Sequence, residues 1–375
     1  MGKRQAGPPI ARSVRRAGDE GLSKLLAEAL VMDGSVERAT HRFHTYPARM
    51  HPDAAALLID ACPGPVHDPF CGGGTVLVEA MLAGRESSGT DLSPIAALVS
   101  RARTADKALA TPMRSAARKI TEKAQLRIDV EVEEELQKWY QPHVAQELGR
   151  IRDEIAVANE AIQPLLRAIF SSIIVKASFR KSDTQNRRET HHRAPGTTAI
   201  LFHKKTREFG RALETLPDGP FPTIDLADAR HHRPESDRGL IVTSPPYPGV
   251  YDYLPMQQLR SLWLGLDLRD GAMGEVGSRR AFRAQGRKDA LARWRSDTDQ
   301  WIGAQARALG PGGRLVIVVG DGLVGNRMVD ALGPTVESIR AAGLHVVARA
   351  SADRPDHARE TIRIEHMIMA ERPGG

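Results

Sequence analysis

Cysteine is almost absent from this 375-residue chain, which contains only Cys62 and Cys71. The two belong to no CxxC pair and to no cysteine–histidine cluster at the spacing of a zinc site. The histidine pairs at 191–192 and 231–232 also lack cysteine or carboxylate companions at useful spacing. The sequence therefore predicts no disulfide framework and no bound metal, as is typical of proteins in a reducing compartment.

Long apolar runs are missing as well. No segment approaches the ~20 apolar residues that a membrane-spanning helix needs, so we expect neither a transmembrane segment nor a membrane partner. Residues 1–36 begin with a basic stretch rich in glycine and proline, and no apolar core follows it. We predict a basic flexible tail there rather than a signal peptide, with a short helix over 22–32. These features indicate a cytoplasmic protein.

Charge is the most unusual part of the composition. The chain carries a formal net charge of +7, which favours a polyanionic partner. Its hydrophobic content of 41% and charged content of 26% are ordinary for a globular protein, so wholesale disorder is not expected. A chain of this length can bury the core of one large domain or two.

Strand and helix patterns alternate in the first third of the chain. Residues 52–61 are predicted to form a helix, residues 66–69 a strand, residues 75–83 a helix and residues 87–91 a second strand, with another helix from Ser93. The order strand, glycine turn, helix, strand is typical of the start of a doubly wound, mostly parallel α/β sheet. We therefore predict that residues 37–104 form the first half of such a domain.

The pattern changes between residues 105 and 222. Apolar residues recur there at helical spacing, and a polar, basic segment covers residues 177–198. We predict a helical insertion that carries a flexible basic loop. Strand patterns resume in residues 223–375, where the run at 312–322 is apolar on both faces, as in a central parallel strand. This region is the predicted second half of the sheet domain.

A glycine-rich turn, DPFCGGGT, joins the first strand to its helix at residues 68–75. Glycine lets the backbone approach a ligand closely, and the helix N-terminus behind it favours a negative group. Asp91 ends the next strand, where a carboxylate can accept hydrogen bonds from two ribose hydroxyls. Asp228 follows the third strand at the same sheet edge and could reach an adenine amine. The alternatives are a turn without a ligand and an ordinary loop aspartate.

A second motif is the stretch IVTSPPYPGVYDY at residues 241–253. Proline has no N–H group to donate and excludes helical geometry from the residue before it, so Pro245 and Pro246 end the strand in a stiff turn. Such a turn holds Ser244 and the backbone carbonyls in one orientation, with Tyr247 just beyond. The alternative is a proline-terminated strand with a packed tyrosine.

Together these motifs resemble those of the exocyclic-amine DNA methyltransferases. DPFCGGGT is followed by TSPPY, and FHTYPARMHP at 43–52 resembles the segment that helps to hold the methionine part of the cofactor in that family. The match covers about residues 42–94 and 222–375. It implies a Rossmann-like class I methyltransferase fold and the cofactor S-adenosylmethionine. The residues that it assigns to the cofactor are Tyr46, Pro47, Asp68, Pro69, Phe70, Cys71, Gly72, Gly74, Thr75, Asp91, Leu92 and Asp228.

The resemblance also implies a mechanism. Ser244 and the Pro245 carbonyl would accept the two amine hydrogens of a base, Pro246 would add rigidity, and Tyr247 would stack on the flipped base. Serine before the two prolines is more usual in the N4-cytosine enzymes, so we expect N4 of cytosine to be methylated. The alternatives are an N6-adenine enzyme, an RNA base-amine methyltransferase and a non-catalytic DNA-binding protein that keeps the fold.

The expected substrate is DNA, as a duplex with a flipped base or as a single strand. Two basic clusters, one in the insertion and one at residues 279–295, would contact the backbone. The residues predicted to do so are Arg180, Lys181, Arg187, Arg188, Arg193, Arg279, Arg280 and Arg283. The insertion precedes the strand that leads to Asp228, and this order departs from the family pattern. The role of the insertion in target recognition therefore stays open. The resemblance admits a cognate restriction enzyme as partner and a place on the nucleoid, and it leaves the oligomeric state unknown.

Overall fold

The fold is described from a computed structural model. The residues that the structure describes are 13–46, 49–182, 185–190, 192–234, 237–268, 274–324, 327–356 and 361–374.

Within these residues the strands and helices alternate much as the sequence predicts. In chain order, the strands are β1 (Val14–Gly18), β2 (Val66–Asp68), β3 (Ser87–Asp91), β4 (Arg180–Ser182), β5 (Gln185–Arg188), β6 (Thr223–Leu226), β7 (Arg238–Thr243), β8 (Leu309–Gly320), β9 (Gly322–Val324), β10 (Arg327–Val329), β11 (His345–Asp356) and β12 (Thr361–Glu371). The helices are α1 (Glu20–Val31), α2 (Pro52–Ala61), α3 (Thr75–Leu82), α4 (Pro94–Arg103), α5 (Ala110–Ala124), α6 (Glu134–Gln137), α7 (Pro142–Ala156), α8 (Gln163–Ala177), α9 (Thr197–Leu213), α10 (Tyr253–Leu264), α11 (Arg279–Ala284), α12 (Arg287–Ala306) and α13 (Leu332–Ala341). In these described parts of the chain, no helix is long and apolar enough to cross a membrane.

The central sheet has eight strands in the order β1-β11-β12-β8-β7-β2-β3-β6. The five strands from β8 to β6 are parallel to one another, whereas β12, β11 and β1 join by antiparallel pairing. The fold is therefore the predicted doubly wound, mostly parallel α/β sheet. From β2 the chain proceeds outward to β3 and β6 and then returns to place β7 on the other side of β2. In open α/β sheets such a switch point is where ligands bind, at the carboxyl ends of the strands.

Both faces of the sheet are covered by helices. On one face, Leu240 and Val242 of β7 pack with the buried side of α2 and of α1. On the other face, Ile241 packs with Trp301 of α12 and with Val336 and Ile339 of α13. Successive residues of β7 thus enter opposite cores, as strand geometry requires, and this explains why Leu240, Ile241 and Val242 are apolar in succession.

The beginning of the chain differs from the prediction. Residues 14–31 are not a flexible tail, because β1 pairs with the edge strand β11 and α1 follows it. Leu26, Ala29 and Leu30 of α1 are buried against the sheet. The short helix predicted over 22–32 is α1, which begins two residues earlier, whereas the edge strand β1 was not predicted, because its partner lies more than 300 residues away. Residues 1–12 lie outside the described residues.

The helices of the insertion share one hydrophobic core with α3, α4 and α10 of the sheet domain. Helix α8 is buried on nearly every side, through residues such as Leu166, Ile169 and Ile173, and it packs against α4 and α10 of the sheet domain. The basic segment is not wholly a loop, because β4 and β5 pair as a short antiparallel hairpin. The domain boundaries 37–104, 105–222 and 223–375 stay a prediction.

Candidate active site

The two sequence motifs meet at the switch point of the sheet. Asp68 ends β2 and Thr243 ends the neighbouring strand β7. The Thr243 hydroxyl donates to Asp68 Oδ1 at 2.8 Å, and the Phe70 amide donates to the same oxygen at 3.1 Å. Motifs that are 175 residues apart in the chain are thus joined by a buried hydrogen bond.

The glycine turn needs glycine for two physical reasons. Gly72 and Gly74 have φ values of +50° and +75°, in the left-handed region that side chains rarely adopt. There is also no room, because a Cβ atom on Gly72 would lie 3.1 Å from the Tyr46 ring, and one on Gly74 would lie 3.0 Å from Ser100 Cβ. The turn is therefore packed closely against Tyr46 and Ser100.

Asp91 supports this turn from the next strand. Its Oδ2 atom accepts from the Gly72 amide at 2.9 Å, and its Oδ1 atom accepts from the Ser93 amide at 2.8 Å. Burial raises the pKa of Asp91 to about 6 and the pKa of Asp68 to about 7. Two carboxyl groups with raised pKa values in one cleft are typical of a functional site.

The cleft encloses about 1010 Å³ of space, part of it open to solvent. Most of the residues expected from the sequence line it. They are Tyr46, Asp68, Pro69, Phe70, Cys71, Gly72, Thr75, Asp91, Leu92, Asp228, Ser244 and Pro246. Gly74, Pro245 and Tyr247 adjoin this lining without contributing to it, and Pro47 lies outside the described residues.

Asp228 has a partner within the protein. Arg230 donates from Nε to Asp228 Oδ1 at 3.0 Å, and it also pairs with Asp297 of α12 at 2.6 Å. Burial opposes the ionisation of Asp228, but the hydrogen bonds from Arg230 outweigh it and lower the pKa of the carboxyl group. Asp228 therefore faces the cleft as an ionised acceptor whose orientation Arg230 maintains.

The structure adds cleft residues that the sequence did not reveal. Tyr253, Glu275 and Arg49 line the cleft beside the expected residues. Glu275 accepts from the Tyr253 amide at 2.6 Å, which ties the start of α10 to the segment before α11. Tyr253 stands close to TSPPY in the chain, so the YDY sequence could have indicated it. Glu275 comes from a distant segment and had no such signal.

The predicted backbone contacts in the insertion are mostly engaged inside the protein. Arg180 is buried, with 6% of its surface exposed, and donates to the Pro255 carbonyl of α10. The guanidinium of Arg188 lies 5.4 Å from the Trp139 ring centroid and 5.6 Å from that of Phe179. Arg180 is therefore not on the surface expected for a DNA contact, and Arg188 is partly committed to aromatic rings.

Three further basic residues of the insertion lie nearer to solvent. Lys181 pairs with Glu189 at 3.0 Å, and Arg193 donates to the Lys176 carbonyl. Arg187 is exposed at the hairpin. Of the five basic residues predicted in the insertion, Arg187 keeps the most accessible charge.

The second basic cluster borders the cleft. The Arg279 amide donates to the Tyr251 carbonyl at 3.2 Å, so α11 begins directly on the loop after TSPPY. Arg280 pairs with Glu275 at 3.1 Å, whereas Arg283 is exposed. The structure thus brings this cluster to the edge of the site.

The raised pKa of Asp68 predicts a pH dependence of stability. Because its folded pKa of about 7 exceeds the ordinary value of 3.8, the folded state holds the extra proton between about pH 4 and pH 7. The contribution of Asp68 to stability therefore falls as the pH rises through that window. His67, whose pKa burial lowers to about 3, acts in the opposite direction. We expect Asp68→Asn to gain stability relative to the wild type from pH 4 to pH 7, as measured by urea unfolding. A constant difference between the two proteins would contradict this.

Comparison with known proteins found one informative sequence relative. No family model matches the chain. Over 277 residues the chain is 26% identical to the type II methyltransferase M.MvaI of Kocuria varians, a match that covers 64% of this chain and 60% of that protein. The chain therefore spans less than two thirds of the length of this relative.

Solved structures give weaker similarity. The rRNA methyltransferase AviRa of Streptomyces viridochromogenes is 12% identical, with 88% of both chains covered and a TM-score of 0.35. TrmN of Thermus thermophilus is 13% identical, with 86% of this chain and 48% of that chain covered and a TM-score of 0.33. Another protein of Thermus thermophilus, solved with S-adenosyl-L-methionine, is 23% identical, with 40% of this chain and 52% of that chain covered and a TM-score of 0.25. The fold assignment therefore rests on the sheet order, and the chain is similar in sequence to a type II methyltransferase.

Proposed function

We propose that this chain is an S-adenosylmethionine-dependent DNA methyltransferase that acts on the exocyclic amine of a flipped base, N4 of cytosine. The observation that carries the proposal is the buried bond between Thr243 and Asp68, which brings the glycine turn and Ser244 into one cleft. The similarity to a type II methyltransferase supports the same activity.

The residues of the cleft fit this cofactor. Asp91 would accept hydrogen bonds from the ribose hydroxyls, and Gly72, whose lack of a side chain lets the Tyr46 ring pack on the turn, lines the same cleft. Asp68 supplies a buried carboxyl group beside the turn, and Asp228 lines the same cleft beyond β6. When bound, the cofactor supplies an activated methyl group on a sulfonium.

The chain itself prepares the base amine. An amine on an aromatic base is a poor nucleophile, because its lone pair is delocalised into the ring. Ser244 and the Pro245 carbonyl would accept its two hydrogens and turn the lone pair toward the methyl carbon, and positioning of this kind supplies much of a rate enhancement. Burial raises the pKa of both Cys62 and Cys71, which suits structural thiols rather than nucleophiles.

The DNA contact that we propose centres on α11 and α12. In the part of the chain that the structure describes, Arg283, Lys288 and Arg295 are exposed and form no ion pair. They follow the segment that lines the cleft, so a backbone held there would pass the mouth of the site. The insertion hairpin, with Arg187, would contribute a second contact, and target recognition by the insertion is part of the same proposal.

Neutralising this surface should change the salt dependence of DNA binding. We expect the combined substitution of Arg283, Lys288 and Arg295 by glutamine to reduce the slope of log affinity against log salt by about 0.9 for each phosphate that is no longer neutralised. The matched control changes three exposed basic residues on and after α5, a helix that contributes no residue to the cleft: Arg118, Lys119 and Arg127. Equal slopes for the two triple variants would show that the DNA backbone is bound by another surface of the protein.

One experiment tests the activity and its alternatives. The protein is incubated with S-adenosylmethionine carrying a labelled methyl group and with DNA or RNA, and the product is digested to nucleosides. We expect N4-methylcytosine in DNA. N6-methyladenine would overturn the choice of base, label in RNA alone would overturn the choice of substrate, and no label would favour a non-catalytic DNA-binding protein. The same proposal includes a cognate restriction enzyme as a partner and a cytoplasmic location on the nucleoid.

A further inference from the structure

Tyr247 is hydrogen-bonded to β12, which lies two strands from β7 in the sheet. Its hydroxyl donates to Glu365 Oε1 of β12 at 2.8 Å, although the two residues are 118 positions apart. The other carboxylate oxygen of Glu365 accepts from Arg354 Nε of β11 at 2.6 Å. A chain of three polar groups thus runs from the TSPPY motif to two antiparallel strands that carry none of the expected site residues.

The ring of Tyr247 also lies directly on the sheet. A Cβ atom on Gly320, the last residue of β8, would be 2.6 Å from Tyr247 Cε2, so only glycine leaves room for the ring. Gly320 and Glu365 are paired across β8 and β12. The ring and its hydroxyl are therefore both held by paired positions of neighbouring strands.

The Tyr247 hydroxyl is protonated in this arrangement. Burial and the negative charge of Glu365 raise the pKa of Tyr247 well above its usual value, so the hydroxyl remains a donor. The side chain of Glu365 is only 15% exposed, so its pairing with Arg354 is shielded more than an ordinary surface ion pair. A charged acceptor in such a place forms a stronger hydrogen bond than a neutral one.

We propose that Glu365 and Arg354 are positioning residues, which hold the Tyr247 ring in the orientation that stacks on the target base. The inference rests on the proposed function, because it needs a base at Tyr247. It assigns a role in the reaction to β11 and β12. A stacking ring is effective only when its own rotamer is held by the residues behind it.

The test is a double-mutant cycle between Tyr247→Phe and Glu365→Ala, measured as kcat and KM for methyl transfer to DNA. A hydrogen bond to a charged group is worth enough that each single variant should lose about tenfold in kcat/KM. The double variant should lose no more than Tyr247→Phe alone, because the bond that Glu365→Ala removes is already absent there. Cofactor affinity should stay within about twofold, and Arg354→Lys, which keeps the charge, should retain more activity than Arg354→Ala.

Two matched controls separate positioning from a general loss of stability. Glu371→Ala removes another β12 glutamate that pairs with an arginine, Arg314 at 3.1 Å, without touching Tyr247. Tyr251→Phe removes a hydroxyl from a nearby tyrosine and serves as the control for Tyr247→Phe. If Glu365→Ala does not fold, the comparison of these two tyrosine variants is the test. Activity of the Glu365 and Tyr247 variants equal to that of their controls, or additive losses in the cycle, would overturn the inference and leave the proposed function standing. A wild-type protein that transfers no methyl group would overturn both.

Discussion

Replacing Ser244 with alanine is expected to lower kcat for methyl transfer by about a hundredfold to a thousandfold, with DNA affinity changed by less than about twofold. Removing one preorganised hydrogen-bonding group that acts on the reacting atoms typically has an effect of this size. Ser244 acts on the amine itself, whereas other residues contact the DNA backbone. The loss should therefore appear in turnover rather than in binding.

The position of Ser244 explains why so large an effect is expected. It follows Thr243, whose hydroxyl is bonded to Asp68, and it precedes two prolines that restrict the turn. Single-turnover transfer measures the chemical step, and Ser296→Ala, on the exposed side of α12, is the matched control. If the kcat of Ser244→Ala equalled that of the control, the active-site assignment would be wrong.

The second large effect is expected from Asp91→Ala, which should weaken binding of the cofactor. Hydrogen bonds to charged groups contribute about 1.5–3 kcal/mol each, so loss of two ribose contacts should weaken S-adenosylmethionine binding by about a hundredfold or more. The structure adds a second cause. Asp91 also accepts from the amides of Gly72 and Ser93, so its removal releases the glycine turn that forms the cradle.

Titration calorimetry can separate these two causes. Asp91→Asn keeps one acceptor oxygen for the turn but loses the charge, so we expect an affinity between those of the wild type and Asp91→Ala. Asp60→Ala, at the exposed end of α2, is the control for removal of a carboxylate away from the cleft. Unchanged affinity in Asp91→Ala would show that Asp91 serves only as the end of a strand.

Local sequence signals predicted the first half of the sheet domain closely. Helix α2 and strand β3 have the predicted bounds, and α4 begins after Ser93, whose hydroxyl accepts from the Ala96 amide as an N-cap. These signals are short-range: a proline at the start of a helix, a serine cap and a glycine turn each act within a few residues. The cleft residues of DPFCGGGT could be predicted for the same reason.

Long-range pairing could not be predicted in this way. The strand β1 exists because it pairs with β11, and Arg180 is buried because α10 folds over it, although both segments are rich in basic residues. No local pattern indicates a partner that lies hundreds of positions away.

The sequence by itself determined the α/β class, the glycine turn and the stiff turn of Ser244, because these depend on backbone preferences of neighbouring residues. Only the tertiary structure decided how the two turns are joined, through Thr243 and Asp68, and what lies behind Tyr247. It also decided which arginines remain exposed to a polyanion. The physical reason is that burial and hydrogen-bond partners belong to the packed sheet, and strand order, rather than chain order, brings those groups together.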